Sequence, residues 1–93
     1  MQTFLVERDL PGISMADLHG LRAAAIRHTA QMRDNGDRIY YLGSTFLPHE
    51  GRCLCMFEAK DADVVTALNQ MANLPSERVV QALSLGMPVM ALG

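Results

Sequence analysis

The chain has 93 residues, of which 49% are hydrophobic and 19% are charged, and its formal net charge at pH 7 is −2. A chain of this length holds one domain with one modest core, and its hydrophobic content excludes a disordered tail. The chain has eight basic and ten acidic residues, and neither kind is clustered. Without a basic patch, a nucleic-acid partner is not expected. Residues 1–8 lack the pattern of a signal peptide, and no apolar run approaches the ~18 residues of a membrane span. We therefore expect no membrane association. The chain has only two cysteines, so a disulfide framework is not expected and a reducing, cytoplasmic location is.

The first part of the chain predicts a strand followed by a long helix. Residues 3–8 have the composition of a strand and end at the turn signal 10–12. Ser14 is the expected N-cap of a helix that runs from 15 to about 33 and is stopped by the Asn-Gly pair at 35–36. Its apolar residues recur at helical spacing: Leu18, Leu21, Ala25, Thr29 and Met32.

The second part predicts a hairpin, a helix and a last strand. Strands over 38–47 and 52–59 flank a short turn. Asp61 or Asp63 then caps a second helix, and a fourth strand runs from 77 or 78 to 85. The apolar residues of the second helix are Val64, Val65, Leu68, Met71 and Ala72.

The order strand-helix-strand-strand-helix-strand predicts an α+β protein, a ferredoxin-like βαββαβ sandwich. We expect a four-stranded antiparallel sheet in the order fourth, first, third, second, with two helices on one face. The single domain is expected to span 1–93, with its core in 3–85 and an apolar C-terminal tail in 86–93. The other sheet face stays open, and such a face commonly meets a second copy or a ligand.

The short hairpin predicts which residues lie on the open face. If its strands pair symmetrically, Leu42 lies opposite Phe57 and Tyr41 lies opposite Glu58. The nearly apolar set that contains Leu42 then faces the helices, and the mixed set faces the open side. The candidate ligand-binding residues expected to share this concave surface are Glu7, Tyr41, Thr45, Met56 and Glu58.

Glu7 and Glu58 are the candidate reactive groups of this surface. Two carboxylates on neighbouring strands can raise each other's pKa and act as acid and base, or they can hold a divalent cation. The alternative is that they pair with Arg8, Arg52 or Arg78, or with arginines of a second subunit.

Cys53 and Cys55 lie two positions apart on the third predicted strand, so both thiols point to one side. Their Cα atoms are then roughly 6.5–7 Å apart, at the limit for a disulfide. The expected register makes them core residues, with metal-ligand and redox-reactive roles as alternatives. A structural zinc site needs about four ligands, and no second cluster supplies them. Three methionines on helical stripes are also predicted in the core: Met15, Met32 and Met71.

Three segments occur in a fixed order along the chain: Leu5-Val6-Glu7-Arg8, Cys55-Met56-Phe57-Glu58-Ala59 and Leu74-Pro75-Ser76-Glu77-Arg78-Val79. Over about 4–85 the chain resembles a bacterial family of short ferredoxin-like proteins, formally a domain of unknown function, sometimes described as nickel-binding. The resemblance implies a fold that forms a homodimer, with nickel as the candidate cofactor.

Glu7, Cys55 and Glu58 match the pattern of this family. On the second strand, a His and a Tyr that are common in relatives are replaced by Gly43 and Thr45. Because imidazole is a natural ligand for nickel, this departure weakens the expectation of metal binding, and no metal ligand is assigned.

The expected function is that of a small homodimer that binds nickel or a small molecule on the open sheet face. One alternative is a cofactor-free enzyme, oxygenase- or isomerase-like, acting on a small organic molecule. Glu7 or Glu58 would be its general base, and Tyr41 would donate a hydrogen bond to an oxyanion. The other alternative is a structural interaction module whose partner fills the open face.

Overall fold

The computed structural model describes residues 1–83 and residue 85, and its elements follow the predicted order. They are β1 (Gln2–Asp9), α1 (Met15–Asp34), β2 (Ile39–Leu47), β3 (Arg52–Ala59), α2 (Ala62–Met71) and β4 (Arg78–Ala82). Strand β4 is therefore shorter than the predicted strand, which extended to Leu85. The predicted apolar tail, 86–93, lies outside the described residues.

The four strands form one antiparallel sheet in the predicted order, β2-β3-β1-β4. Strand β1 is central, so that Glu7, for example, lies between Leu54 of β3 and Arg78 of β4. Both helices contribute buried residues to the same core, which leaves the opposite side of the sheet without a helix. The ferredoxin-like prediction is confirmed.

Side-chain caps fix where the two helices begin. Ser14 Oγ accepts a hydrogen bond from the Asp17 backbone N–H at 3.1 Å, as predicted. Asp61, rather than Asp63, caps α2 and accepts from the Val64 backbone N–H at 3.0 Å. These bonds satisfy amides that have no partner within the helix. Within the described part of the chain, no helix combines the length and apolar character needed to cross a membrane.

The core lies between the helices and one face of the sheet. Its buried apolar residues are Phe4, Val6, Leu10, Ala25, Met32, Ile39, Cys53, Cys55, Phe57, Ala59, Val65 and Leu68. The two cysteines and Met32 are thus in the core, as predicted. The same prediction was wrong for Met15 and Met71, which are 60% and 59% exposed. Met15 is the first residue of α1 and Met71 is the last residue of α2, and the buried residues of both helices lie further inside them.

A β-bulge in β2 changes the predicted register of the hairpin. Gly43 lies opposite Met56, as expected, but Leu42 is an extra residue and Tyr41 lies opposite Phe57. Gly43 has φ +152°, a conformation that residues with side chains rarely adopt. Glycine at this position therefore accommodates the additional residue, and every side chain before it moves to the other face.

The predicted pairing of Tyr41 with Glu58 is consequently wrong. Tyr40 is the residue opposite Glu58, and Tyr41 lies on the helix-covered side. There its ring packs edge-on against Phe57, with the ring centroids 5.6 Å apart. Leu42, predicted to face the helices, is 52% exposed.

Candidate functional site

The open sheet face is the side of the sheet opposite the helices. By strand alternation its members are Thr3, Leu5, Glu7, Asp9, Tyr40, Gly43, Thr45, Leu47, Arg52, Leu54, Met56, Glu58, Arg78, Val80 and Ala82. Apolar residues that are half-buried, such as Leu5, Met56 and Val80, occupy its middle. Charged residues occupy its ends, with arginines at one end and Glu58 at the other. The surface is therefore apolar in the middle and of opposite charge at its two ends.

Glu7 is the centre of the charged group at one end. Arg52 donates from Nη2 to Glu7 Oε1, and Arg78 donates from Nε to Glu7 Oε2. These contacts leave Glu7 only 8% exposed, although it lies on the open side. The Arg78 hydrogen bond, together with the charges of both arginines, holds the pKa of Glu7 below its ordinary value, and partial burial opposes this shift. A carboxylate that is kept ionised in this way is a weak general base.

An open cleft of about 430 Å³ borders this group and is lined by Glu7, Asp9, Arg52, Glu77 and Arg78. The Arg52 and Arg78 side chains are 39% and 66% exposed, so both guanidinium groups retain N–H donors that face solvent. The cleft thus offers donors and acceptors of both charges to a small polar molecule.

Glu58 lies at the other end of the open face, opposite Thr3 and Tyr40. Glu7 lies opposite Leu54, four positions from Glu58 along β3, so the two carboxylates are not a close pair. Among the described residues, Glu58 forms no salt bridge.

Four of the predicted site residues, Glu7, Thr45, Met56 and Glu58, lie on the open face. Tyr41 does not, because the bulge moves it to the other side. A hydroxyl at that position cannot serve a reaction centred on the open face.

Arg8 is a buried cation, whereas the sequence had suggested it only as a partner for the acids. The residue is 0% exposed, and its Nη1 donates to Asn69 Oδ1 at 2.6 Å and to the Pro75 carbonyl at 2.7 Å. Its Nε donates to Cys55 Sγ at 3.3 Å, and Nη2 is buried without a partner. No carboxylate of the described chain pairs with it. The signal available in the sequence was its place two positions after Val6, on the core side of β1.

Cys55 Sγ is buried and is the centre of a group of polar contacts that extends through Ser44, which is exposed. It accepts hydrogen bonds from Arg8 Nε and from Ser44 Oγ, the latter at 3.0 Å, and Ser44 Oγ lies 2.5 Å from the Tyr41 hydroxyl. Cys53 Sγ is 3.8 Å from Cys55 Sγ, and both thiols are free. Burial, followed by the neighbouring Cys55, raises the pKa of Cys53 to about 11.

The open face does not fit a nickel site within one subunit. In the range that the structure covers, no three His, Cys, Asp or Glu side chains lie close enough to hold a metal ion together. Both carboxylate oxygens of Glu7 are engaged by arginines, and Gly43 and Thr45 supply no imidazole.

The fold and this surface define a small α+β protein of the ferredoxin-like class with one open sheet face. The chain belongs to the family described as nickel responsive protein SCO4226-like, whose model matches residues 4–81. The crystal structure of SCO4226 from Streptomyces coelicolor A3(2) is similar, with a TM-score of 0.72 and 18% sequence identity. The alignment covers 89% of this chain and 99% of that one, and at this identity it shows a shared fold. Comparison with curated proteins found no match.

Proposed function

We propose that this protein is a homodimer that binds a small polar organic ligand between the open sheet faces of its subunits, within a nickel-related role. The observation that carries the proposal is the open face itself. Its half-buried apolar middle adjoins a cleft of about 430 Å³ in which Arg52, Arg78 and three carboxylates meet. A polar cleft beside an apolar surface has the character of a ligand pocket that a second copy completes.

The distribution of charge favours a second copy of this chain as the occupant of the face. Glu58 and Arg52 are six positions apart on β3, a separation of roughly 20 Å. A two-fold axis that brings opposite strand ends together places Glu58 of each copy near Arg52 and Arg78 of the other. The apolar middles, around Leu5 and Met56, then cover each other. Such a surface is self-complementary, which is the requirement for a two-fold interface.

The family name connects the protein with nickel, but a response to nickel does not require that one subunit hold the ion. The described ligand set of one subunit is insufficient for that. We therefore assign the cleft to an organic molecule, whose polar groups the arginines and carboxylates of the cleft can bind.

Native mass spectrometry of the untagged full chain, with and without nickel chloride, tests both parts of the proposal. We expect a dimer that retains an organic mass from the expression host and no nickel. A monomer at all concentrations contradicts the dimer, and a bound mass with the isotope pattern of nickel contradicts the organic ligand.

Two matched substitutions test the interface. Met56→Lys places a charge in the middle of the open face, and Met71→Lys makes the same change on the exposed end of α2. We expect the first variant to be monomeric at concentrations where the second remains a dimer, because an unpaired charge is costly in an apolar interface. Equal dimerisation of the two folded variants excludes the open face as the interface.

A further inference from the structure

The polar group around the buried Cys55 sulfur lies on the helix-covered side of the sheet, and the proposed ligand site on the open face does not use it. It combines two free thiols, a guanidinium without a carboxylate partner among the described residues, and two hydrogen-bond donors to one sulfur. A buried charge is normally paired, because an unpaired one is strongly destabilising in a medium of low dielectric constant. Arg8 has hydrogen-bond acceptors but no negatively charged partner among the described residues, and its Nη2 has no acceptor. A negative charge next to the guanidinium would therefore be stabilising.

We infer that Cys53 and Cys55 form a binding site for a monovalent thiophilic ion of the copper(I) type, with Arg8 as the counter-charge of the resulting dithiolate. In the binding step two S–H bonds are replaced by two S–Cu bonds. Both protons leave to solvent, and copper stays in the +1 state. The product, a copper ion with two thiolates, carries one negative charge.

The distance between the two sulfurs suits a shared ion. With a metal–sulfur bond of about 2.3 Å, an ion between sulfurs 3.8 Å apart is held at an angle of about 110°, and the angle opens toward linear if the sulfurs separate by about 0.8 Å. Copper(I) accepts two or three soft ligands, whereas a structural zinc site takes four. Two cysteines without further thiols or imidazoles therefore suit copper(I) better than zinc.

Charge balance distinguishes a monovalent from a divalent ion at this site. When two thiolates bind a divalent ion, the product is neutral and the charge of Arg8 stays uncompensated. When they bind copper(I), the product is an anion beside the Arg8 guanidinium, so that the buried group is neutral overall. The Arg8 Nε–H and the Ser44 hydroxyl already point at Cys55 Sγ, and hydrogen bonds of this kind stabilise a metal-bound thiolate.

A route to the sulfurs exists between α1 and β2. A small, mainly apolar cavity of about 110 Å³ is lined by Leu18, His19, Leu21, Ser44, Phe46 and Cys53, with Arg22 also at its wall. Because Cys53 is part of its wall, an ion can reach this residue through the cavity, and the strands do not have to separate. Because the thiolate is the form that binds a metal ion, each sulfur must release its proton on binding, so affinity should rise with pH.

The test is an anaerobic titration of the full chain with copper(I) buffered by a chromophoric chelator such as bicinchoninate. The wild type is expected to withdraw one copper(I) per subunit, and Cys53→Ser and Cys55→Ser are each expected to lose this uptake. Met71→Leu, which removes an exposed thioether at the end of α2, is expected to take up copper(I) like the wild type and serves as the control. Absence of uptake by the wild type overturns the proposal, and so does unchanged uptake in both folded serine variants.

Two further measurements keep the proposal testable if a serine variant fails to fold. X-ray absorption of the copper-loaded wild type should show two sulfur neighbours, and a shell of nitrogen or oxygen neighbours contradicts the site. Arg8→Lys keeps the charge and Arg8→Met removes it at similar length, so copper(I) affinity should fall about 10-fold or more in the second relative to the first. Equal affinities refute the role of Arg8. Because none of these readouts involves the open face, failure of the organic-ligand proposal leaves them unaffected.

Discussion

Glu7 and Arg78 lie directly opposite each other on β1 and β4, and the Arg78 guanidinium donates to a carboxylate oxygen of Glu7. Arg52 engages the other oxygen from the β3 side. Glu7 therefore links both neighbours of the central strand through side chains, in addition to the backbone ladder.

This arrangement predicts a specific acid sensitivity. The pKa of Glu7 is held below its ordinary value of 4.5 by the Arg78 hydrogen bond and by the charges of both arginines, so folding favours the ionised form. The resulting contribution to stability is complete above pH 4.5 and is lost as the pH falls through the lowered pKa. Glu7→Gln should remove this part of the pH dependence, as measured by urea unfolding between pH 3 and pH 6.

Glu50→Gln is the control for this experiment, since Glu50 lies exposed in the hairpin turn. It should retain the acid sensitivity of the wild type. Parallel pH profiles of Glu7→Gln and the wild type would contradict the assigned role of the Glu7 ion pairs.

Asn69 is predicted to be a stability-determining residue because it supports a buried charge. Its Oδ1 accepts from Arg8 at 2.6 Å, and its Nδ2 donates to the Val65 carbonyl at 2.8 Å. Asn69→Ala removes one of the acceptors of the guanidinium and should lower the free energy of unfolding by about 2–3 kcal/mol. Gln70→Ala, at the next and exposed position of α2, should change it by less than about 0.5 kcal/mol. Similar values for the two variants in urea unfolding would show that the Arg8 contact contributes little.

Much of the fold could be predicted because it depends on local patterns. Helical spacing located α1 and α2, and the cap residues Ser14 and Asp61 marked their first turns. The order of elements then restricted the sheet to one topology, because βαβ crossovers are right-handed. The pairing of Glu7 with arginines was among the alternatives that the residue types allowed.

The parts that could not be predicted depend on the register and on contacts between distant residues. The bulge at Leu42 adds one residue to β2, and counting outward from a hairpin turn does not detect it, so Tyr40 and Tyr41 exchanged faces. Arg8 finds its acceptors in Asn69 and Pro75, which are 61 and 67 positions away. A charged residue on the core side of a strand is normally unfavourable, and only these long-range partners make it tolerable.

Gly43 and Gly20 should respond to alanine in opposite directions. A Cβ added at either position has no atom within 4 Å, so steric clashes with neighbouring residues do not determine the change in stability. Gly43 has φ +152°, and Gly43→Ala should cost about 1–3 kcal/mol through backbone strain. Gly20 lies inside α1, and Gly20→Ala should stabilise the protein by about 0.5–1 kcal/mol. Thermal unfolding of both variants measures whether each substitution raises or lowers the stability of the protein. Unchanged stability of Gly43→Ala would indicate that the bulge does not need glycine.

The Cys53 thiol should make the protein sensitive to alkali. Burial, followed by the neighbouring Cys55, raises the pKa of Cys53 from 9.0 to about 11, so the folded state keeps a proton that the unfolded state releases earlier. The stabilising contribution is complete below pH 9 and is lost as the pH rises toward 11. Cys53→Ala lacks this titration, so the difference in free energy of unfolding between wild type and variant should shrink over this interval. Urea unfolding from pH 7.5 to pH 10.5, under reducing conditions, measures the difference. A constant difference would mean that Cys53 ionises equally in both states and that its burial does not affect the proton.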